Sequence, residues 1–340
     1  MQCTWKKMWL PAVLAVVIFS VIVVLFIISG DDVTTNESES EYPVIDRNEK
    51  LPDISIGWYR PNPPGVPLKF EFVGRFPKVP KRILVYKVLR PKNVTEADVR
   101  ELAEKYFDMP VDAKLTRSSP RPGGSALYWL DTQVHLFEFD PDTGFFNIFK
   151  YRKAREKLSE DRKDYPSDEE CRRIATEYLK ERGLLPDDAY LVDVYDVNIE
   201  SVGAMQVTFC RKIGQCDIWG HGSEILVEIG VAGEITKVSK RWVEYEPYKL
   251  APIKTPKEAV KQLKYGRALL MTSSGKATGM KLAYHTHPND EYIQPVYSFG
   301  FGDKDSYALV PAIKPQYLKS EEEMLKEEDE KAANRKKQSL

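Results

Sequence analysis

The chain has no excess of charge of either sign: 50 Lys and Arg stand against 51 Asp and Glu, for a net charge of −1. Nucleic-acid binding calls for a basic face of some size, so this balance argues against that class of partner. Cysteine is scarce, four in 340 residues, and no two form a C-x-x-C pair, which excludes a structural zinc ribbon. There is no G-x-S-x-G elbow, no glycine-rich phosphate cradle and no local Cys/His pairing. The common nucleophilic and phosphoryl-transfer chemistries therefore have no visible seat, and no cofactor is implied. The acids of "PDTG" near Asp142 and "GDKD" near Asp303 lack the ligand count and spacing of a calcium loop, and turn chemistry accounts for them.

What is present begins with an uncharged run, "WLPAVLAVVIFSVIVVLFIIS", from Trp9 to Ser29, about as long as a bilayer core is thick. Lys6 and Lys7 precede it and Asp31 and Asp32 follow. The positive-inside tendency predicts a single-pass anchor embedded in the lipid bilayer through residues 9–29. The N-terminus is then cytoplasmic and the bulk of the chain extracytoplasmic, at a cell membrane. A cleaved signal peptide is the competing reading, and no A-x-A-like cleavage site supports it. Outside the cytoplasm disulfides form. Cys210 and Cys216 flank "RKIGQ", which reads as a hairpin turn, and are a disulfide candidate facing each other across two strands. Cys171 falls on the apolar stripe of a helix and reads as a buried thiol.

After the anchor (1–30), residues 31–82 read as a stalk, first acidic and polar, then proline-rich. The chain then repeats itself weakly. "TEADVRELAEKYF" from Thr95 and "SDEECRRIATEYL" from Ser167 both open with a hydroxyl cap and an acid three residues on. Apolar residues follow at the same offsets: Val99, Leu102, Ala103, Tyr106 and Phe107 in one, Cys171, Ile174, Ala175, Tyr178 and Leu179 in the other. A third start, "TPKEAVKQL", begins at Thr255. Runs of alternating residues with glycine turns follow each helix and predict antiparallel meanders. The expected fold class is α+β: one N-terminal transmembrane helix, then helix-plus-meander modules at 83–160, 161–250 and 251–313. The charged tail, 314–340, reads as a solvated helix or a disordered segment.

One segment invites a catalytic reading. In "HTHP", His285 and His287 lie two apart and share a face if the segment is a strand, so the two imidazoles form a candidate metal pair. The wording resembles JAMM-type metallopeptidases, and that resemblance implies a zinc-binding Asp eleven residues after the second histidine. Ser298 occupies that position, Phe301 stands three further on, and Asp303 is displaced. His221 and His135 fall in other modules. The expectation is surface or turn histidines on a hairpin, with no metal held.

A second resemblance is spread over residues 205–313. It rests on "MQVTFCRKIGQCDIWGHGSEILVEIGVAGEITKVSKRW", the helix "IKTPKEAVKQL" and the closing strands "YIQPVYSFGF" and "SYALVPAI". In its turns and strands this stretch resembles the PepSY-like extracytoplasmic modules of membrane-anchored regulators, of the YycI/YycH type. That implies a non-enzymatic protein that binds or restrains a membrane or cell-envelope protein, such as a sensor kinase or a peptidase. The alternatives are a structural envelope protein and, on the histidines, a surface metallohydrolase.

Overall fold

The computed structural model describes residues 41–54, 69–120, 125–155, 159, 161–197, 203–264, 268–270, 274–288, 290–302, 306–320, 322–327 and 329–330. Along them run seventeen strands, three α-helices and short 3₁₀ turns, with further helical residues at 322–327 and 329–330. We number the strands β1–β17 and the helices α1–α3 in chain order.

The first core is laid on a wide antiparallel sheet. Four of its strands come from one stretch of chain: β3 (Lys114–Arg117), β4 (Tyr128–Asp131), β5 (His135–Phe139) and β6 (Phe146–Lys150). The others are β7 (Ala189–Val197), β8 (Ala204–Ile213), β10 (Ser223–Ile229) and β11 (Ile235–Trp242). They pair in the order β7-β8-β10-β11-β6-β5-β4-β3. Following the register gives one lateral row: Val194, Val207, Val227, Val238, Ile148, Phe137, Leu130 and Leu115. Directly opposed residues share a face, so this row is a continuous apolar strip across every strand. Helix α1 (Glu96–Phe107) sets Val99, Ala103 and Phe107 into that core, and α2 (Asp168–Glu181) adds Cys171, Ala175 and Leu179.

Both helices start where their caps predict. Thr95 accepts from the Asp98 backbone N–H while Asp98 accepts from that of Thr95, a complete capping box, and Ser167 accepts from the Glu170 N–H. Cys171 is fully buried, as the stripe requires.

The second core gathers around β16 (Tyr292–Gly300), which pairs antiparallel with β15 (Gly279–His285). Its other edge changes partner part-way. Tyr292 and Ile293 face β2 (Arg82–Leu89), whereas Val296 onward faces β17 (Tyr307–Pro311). Pro295 stands between the two stretches; it has no N–H to donate, and its carbonyl accepts from Ala312. Strand β12 (Glu244–Pro252) extends the sheet beyond β2, and β9 (Cys216–Trp219) joins β15 to β8. Helix α3 (Pro256–Lys264) buries Ala259 and Leu263 here, with Thr255 and Glu258 forming its capping box.

The expected fold class is therefore corrected. Among the described residues strand outweighs helix, 43% against 21%, and the helices ornament a sheet rather than head separate modules behind a transmembrane helix. Among the described residues no helix is long and apolar enough to cross a membrane; residues 9–29 lie outside them. The modules merge because a small meander standing alone leaves an unpaired edge. Here β6 is paired by β11, and β2 by β12 and β16, across the expected boundaries.

The described parts of the expected stalk are also packed. Ile45 and Leu51 are buried beside Val85, Ala251, Ile313 and Leu318, and Leu51 forms a bridge with Leu318. β1 (Lys69–Phe72) pairs in parallel with β14 (Ser274–Ala277). The first part of the tail joins them, with Lys50 and Glu323 2.7 Å apart. Replacing Leu51 by Ala should therefore lower unfolding free energy by about 2–5 kcal/mol in denaturant titration. A solvated stalk residue would leave it unchanged.

Candidate functional site

His285 and His287 lie beside the junction where β9 links β15 of the second core to β8 of the first. β15 ends at His285, which faces Gln294 of β16 on one side and Trp219 of β9 on the other. With strands on both sides the imidazole is 4% exposed, which corrects the expectation of a surface residue. The chain leaves the strand at once: the Thr286 N–H donates to the Trp219 carbonyl, and a turn follows. His287 thus stands in that turn rather than one pleat further along a strand, and Asp290 closes the turn. Its carboxylate accepts from the His287 N–H at 2.7 Å, and its own N–H donates to the His287 carbonyl at 2.9 Å.

Two further partners were not visible in sequence. Arg90, just beyond β2, donates from Nη2 to the Asp290 carbonyl at 2.7 Å. His221, in the turn between β9 and β10, comes close enough for its charge to oppose protonation of both other histidines. Its Nδ1 lies 3.0 Å from Glu224 Oε1 and 3.2 Å from Arg241 Nη1. The convergence depends on the glycines flanking His221. Gly220 holds φ +97, and a Cβ on it would land on the Thr286 carbonyl oxygen; one on Gly222 would meet the Thr286 side chain. The "GHG" triplet was the available signal that this turn is pressed against another segment.

Burial decides the electrostatics. Loss of solvent, with the neighbouring His287 and His221, pushes the His285 pKa down to about 4. Burial, His221 and the Arg90 charge do the same to His287. Burial drives the Asp290 carboxyl up to about 7, against the pull of the His287 N–H and Arg90. His285 Nδ1 and Asp290 Oδ2 are 3.7 Å apart, too far for a direct hydrogen bond. The arrangement is a clasp on three chain segments rather than an open coordination sphere.

The metallopeptidase pattern fails in space as well as in sequence. Ser298 lies four residues along β16 from Gln294, the partner of His285, so roughly 13 Å away at strand rise. Asp303 lies outside the described residues, and His135 is on β5 in the other core. Among the described residues no group of three His, Cys, Asp or Glu side chains is placed to hold a metal ion.

The cysteines are likewise separated. The turn is tighter than the spacing suggested: Ile213, not Cys210, is opposite Cys216, and Cys210 faces Tyr190 and Glu224. Residues 210 and 213 point to opposite faces of β8, so Cys210 and Cys216 do too. Both are free thiols, and burial raises both pKa values, Cys210 to about 12. Such thiols are poor nucleophiles.

No family model matches this chain, and no curated protein matches it.

The clasp predicts a pH signature with a definite sign. The histidines have folded pKa values below their unfolded ones, so each takes up a proton on unfolding between about pH 4 and 6.5. Asp290 has a raised folded pKa and releases one across most of the same window. The net is uptake of about one proton, so this cluster adds stability as pH rises from 4 to 6.5. With His285→Gln and His287→Gln together, only the opposing Asp290 contribution remains. Unfolding free energies across that range should rise with pH less steeply than in wild type by about 2.7 kcal/mol per pH unit, the equivalent of two protons. Parallel slopes would mean that the histidines are solvated.

Proposed function

We propose that this chain is a non-enzymatic binding protein that regulates a membrane or cell-envelope partner through an open sheet edge. Support for placing it at a cell membrane, with its folded body on the extracytoplasmic side, comes from the uncharged run Trp9 to Ser29 and its flanking charges. The observation that carries the binding role is β7. Among the described residues this nine-residue strand pairs with β8 alone, leaving its other edge without a strand partner. Two of its three exposed residues are a valine and a tyrosine: Val192 and Tyr195 are 49% and 46% exposed, beside the charged Asp196. A register shift between Leu191 and Asp193 interrupts the edge, which limits indiscriminate self-pairing. Adding a strand from a partner satisfies the open N–H and C=O groups, while side chains such as Val192 and Tyr195 supply selectivity. Two proteins held at one membrane meet at high effective concentration, so a small interface suffices.

Photocrosslinkers placed at Val192 and, as a control, at Val111 (69% exposed) test this in membranes at native expression. The expected result is one dominant membrane or envelope protein captured from Val192 and not from Val111. With the crosslinker moved to the neighbouring exposed Asp196, Val192→Lys should abolish capture while changing stability by no more than about 0.5 kcal/mol. Equal capture of many envelope components from both sites would favour a bracing, structural role instead.

A further inference from the structure

The helix-covered face of the first sheet turns from apolar to polar along a single row. Leu130, Phe137, Ile148 and Val238 belong to the apolar strip. Two positions along their strands, on the same face, stand Thr132, His135, Lys150 and Thr236. His135 and Lys150 are register partners, and Thr236 lies one step beyond the Lys237–Phe149 pair, level with Lys150. The helices do not cover this row. α1 ends at Phe107 and α2 at Glu181, and beyond their ends lies a cleft of about 710 Å³ lined by these four residues and by Phe107, Met109, Tyr178 and Arg182. That volume is within the roughly 300–1,000 Å³ of small-molecule sites.

The polar groups of this cleft are arranged for an anion. Thr236 is 1% exposed, and its Oγ1 has no hydrogen-bond partner, a cost that sequence and core packing alone do not explain. Lys150 has no carboxylate partner among the described residues. The acid at the rim, Asp108, is already paired with Arg182 at 2.8 Å, and Arg182 also donates to the Tyr106 carbonyl. That second bond meets the partial negative charge at the α1 C-terminus. Burial and the adjacent Lys150 hold His135 below the ordinary imidazole pKa, so it is neutral at pH 7 and offers one N–H. The walls are apolar: Phe107 and Met109 are buried, and the Tyr178 ring lies under the Arg182 guanidinium at 4.8 Å.

We propose that this cleft binds an amphiphilic carboxylate. Its apolar body lies against Phe107, Met109 and Tyr178, and its carboxylate accepts hydrogen bonds from Lys150, Thr236 and His135. Two sources share this chemistry: a free aromatic or aliphatic acid, and the C-terminus of a peptide with a large apolar last residue. The polar row of this site begins three strands away from β7 in the sheet, and its occupancy stands or falls separately from the binding role argued above.

The test is ligand-observed NMR titration of the full-length chain with 4-phenylbutyrate and with its uncharged amide. A short peptide ending in Phe, as free acid and as amide, forms the second pair. The expected result is saturable binding of an acid about tenfold or more tighter than its amide, because the charged hydrogen bonds are lost in the amide. Lys150→Met should weaken the acid by a similar factor, and Thr236→Val by less, with melting temperatures unchanged. Tighter binding of the peptide acid identifies a C-terminus as the natural ligand, and tighter binding of phenylbutyrate identifies a free acid. Equal affinity for acid and amide, no binding of either acid, or an affinity indifferent to both substitutions would overturn the proposal. The acid–amide comparison needs no variant, so it decides the matter even where a substitution unfolds the chain.

Discussion

The antiparallel pairing of β6 with β11, Phe146 opposite Lys240 through Phe149 opposite Lys237, is the contact on which the first half of the molecule depends. Each flanking meander could form by itself, but each would carry an open edge and half a core. Joined, they bring Ile148 and Val238 side by side and make one apolar strip beneath two helices. The helices are similar in sequence because they do the same work on neighbouring parts of one sheet. The cleft follows from the same junction: its Lys150 and Thr236 are brought level only because β6 and β11 pair in that register.

A comparable constraint governs the second half. β16 is bordered by β15 along most of its length and by two different strands on its other edge. Such a change of neighbour requires one position where no ladder bond is owed, and Pro295 supplies it by having no N–H. The exchange lets β2 and β12 bind β16 at one end while β17 closes the other. The segment before β1 and the start of the tail then fill the seam around Leu51, Val85 and Leu318.

The histidine clasp shows how chemistry-bearing residues can be spent on structure. A metal pair or general base needs an approachable ring, and strands on both sides of His285 remove that access. The Asp290 carboxylate is occupied by the turn it closes. Burial shifts these groups as strongly as a catalytic site does, and geometry, not the size of the shift, separates the two cases. Among the described residues, groups remain uncommitted instead at the outer edge of β7 and in the polar row beyond the helix ends.

Local features were legible in the sequence. The capping residues Thr95, Ser167 and Thr255, the five apolar offsets of α1 and α2, and the buried Cys171 all follow from interactions within a few residues, so spacing reveals them. The tertiary structure decided what depends on partners distant in the chain. Alternation marks β6 and β11 as strands but not as each other's neighbours, since any half-apolar strand offers the same edge. It cannot show that Cys216 faces Ile213, that Leu51 is buried rather than part of a stalk, or that the His221 turn reaches His287. Nor could it level Lys150 with Thr236. The sequence by itself determined the elements and their inward faces, because propensity and periodicity are local. Register, strand order and burial were decided by long-range pairing, because a hydrogen-bonding edge carries no label of the strand it will meet.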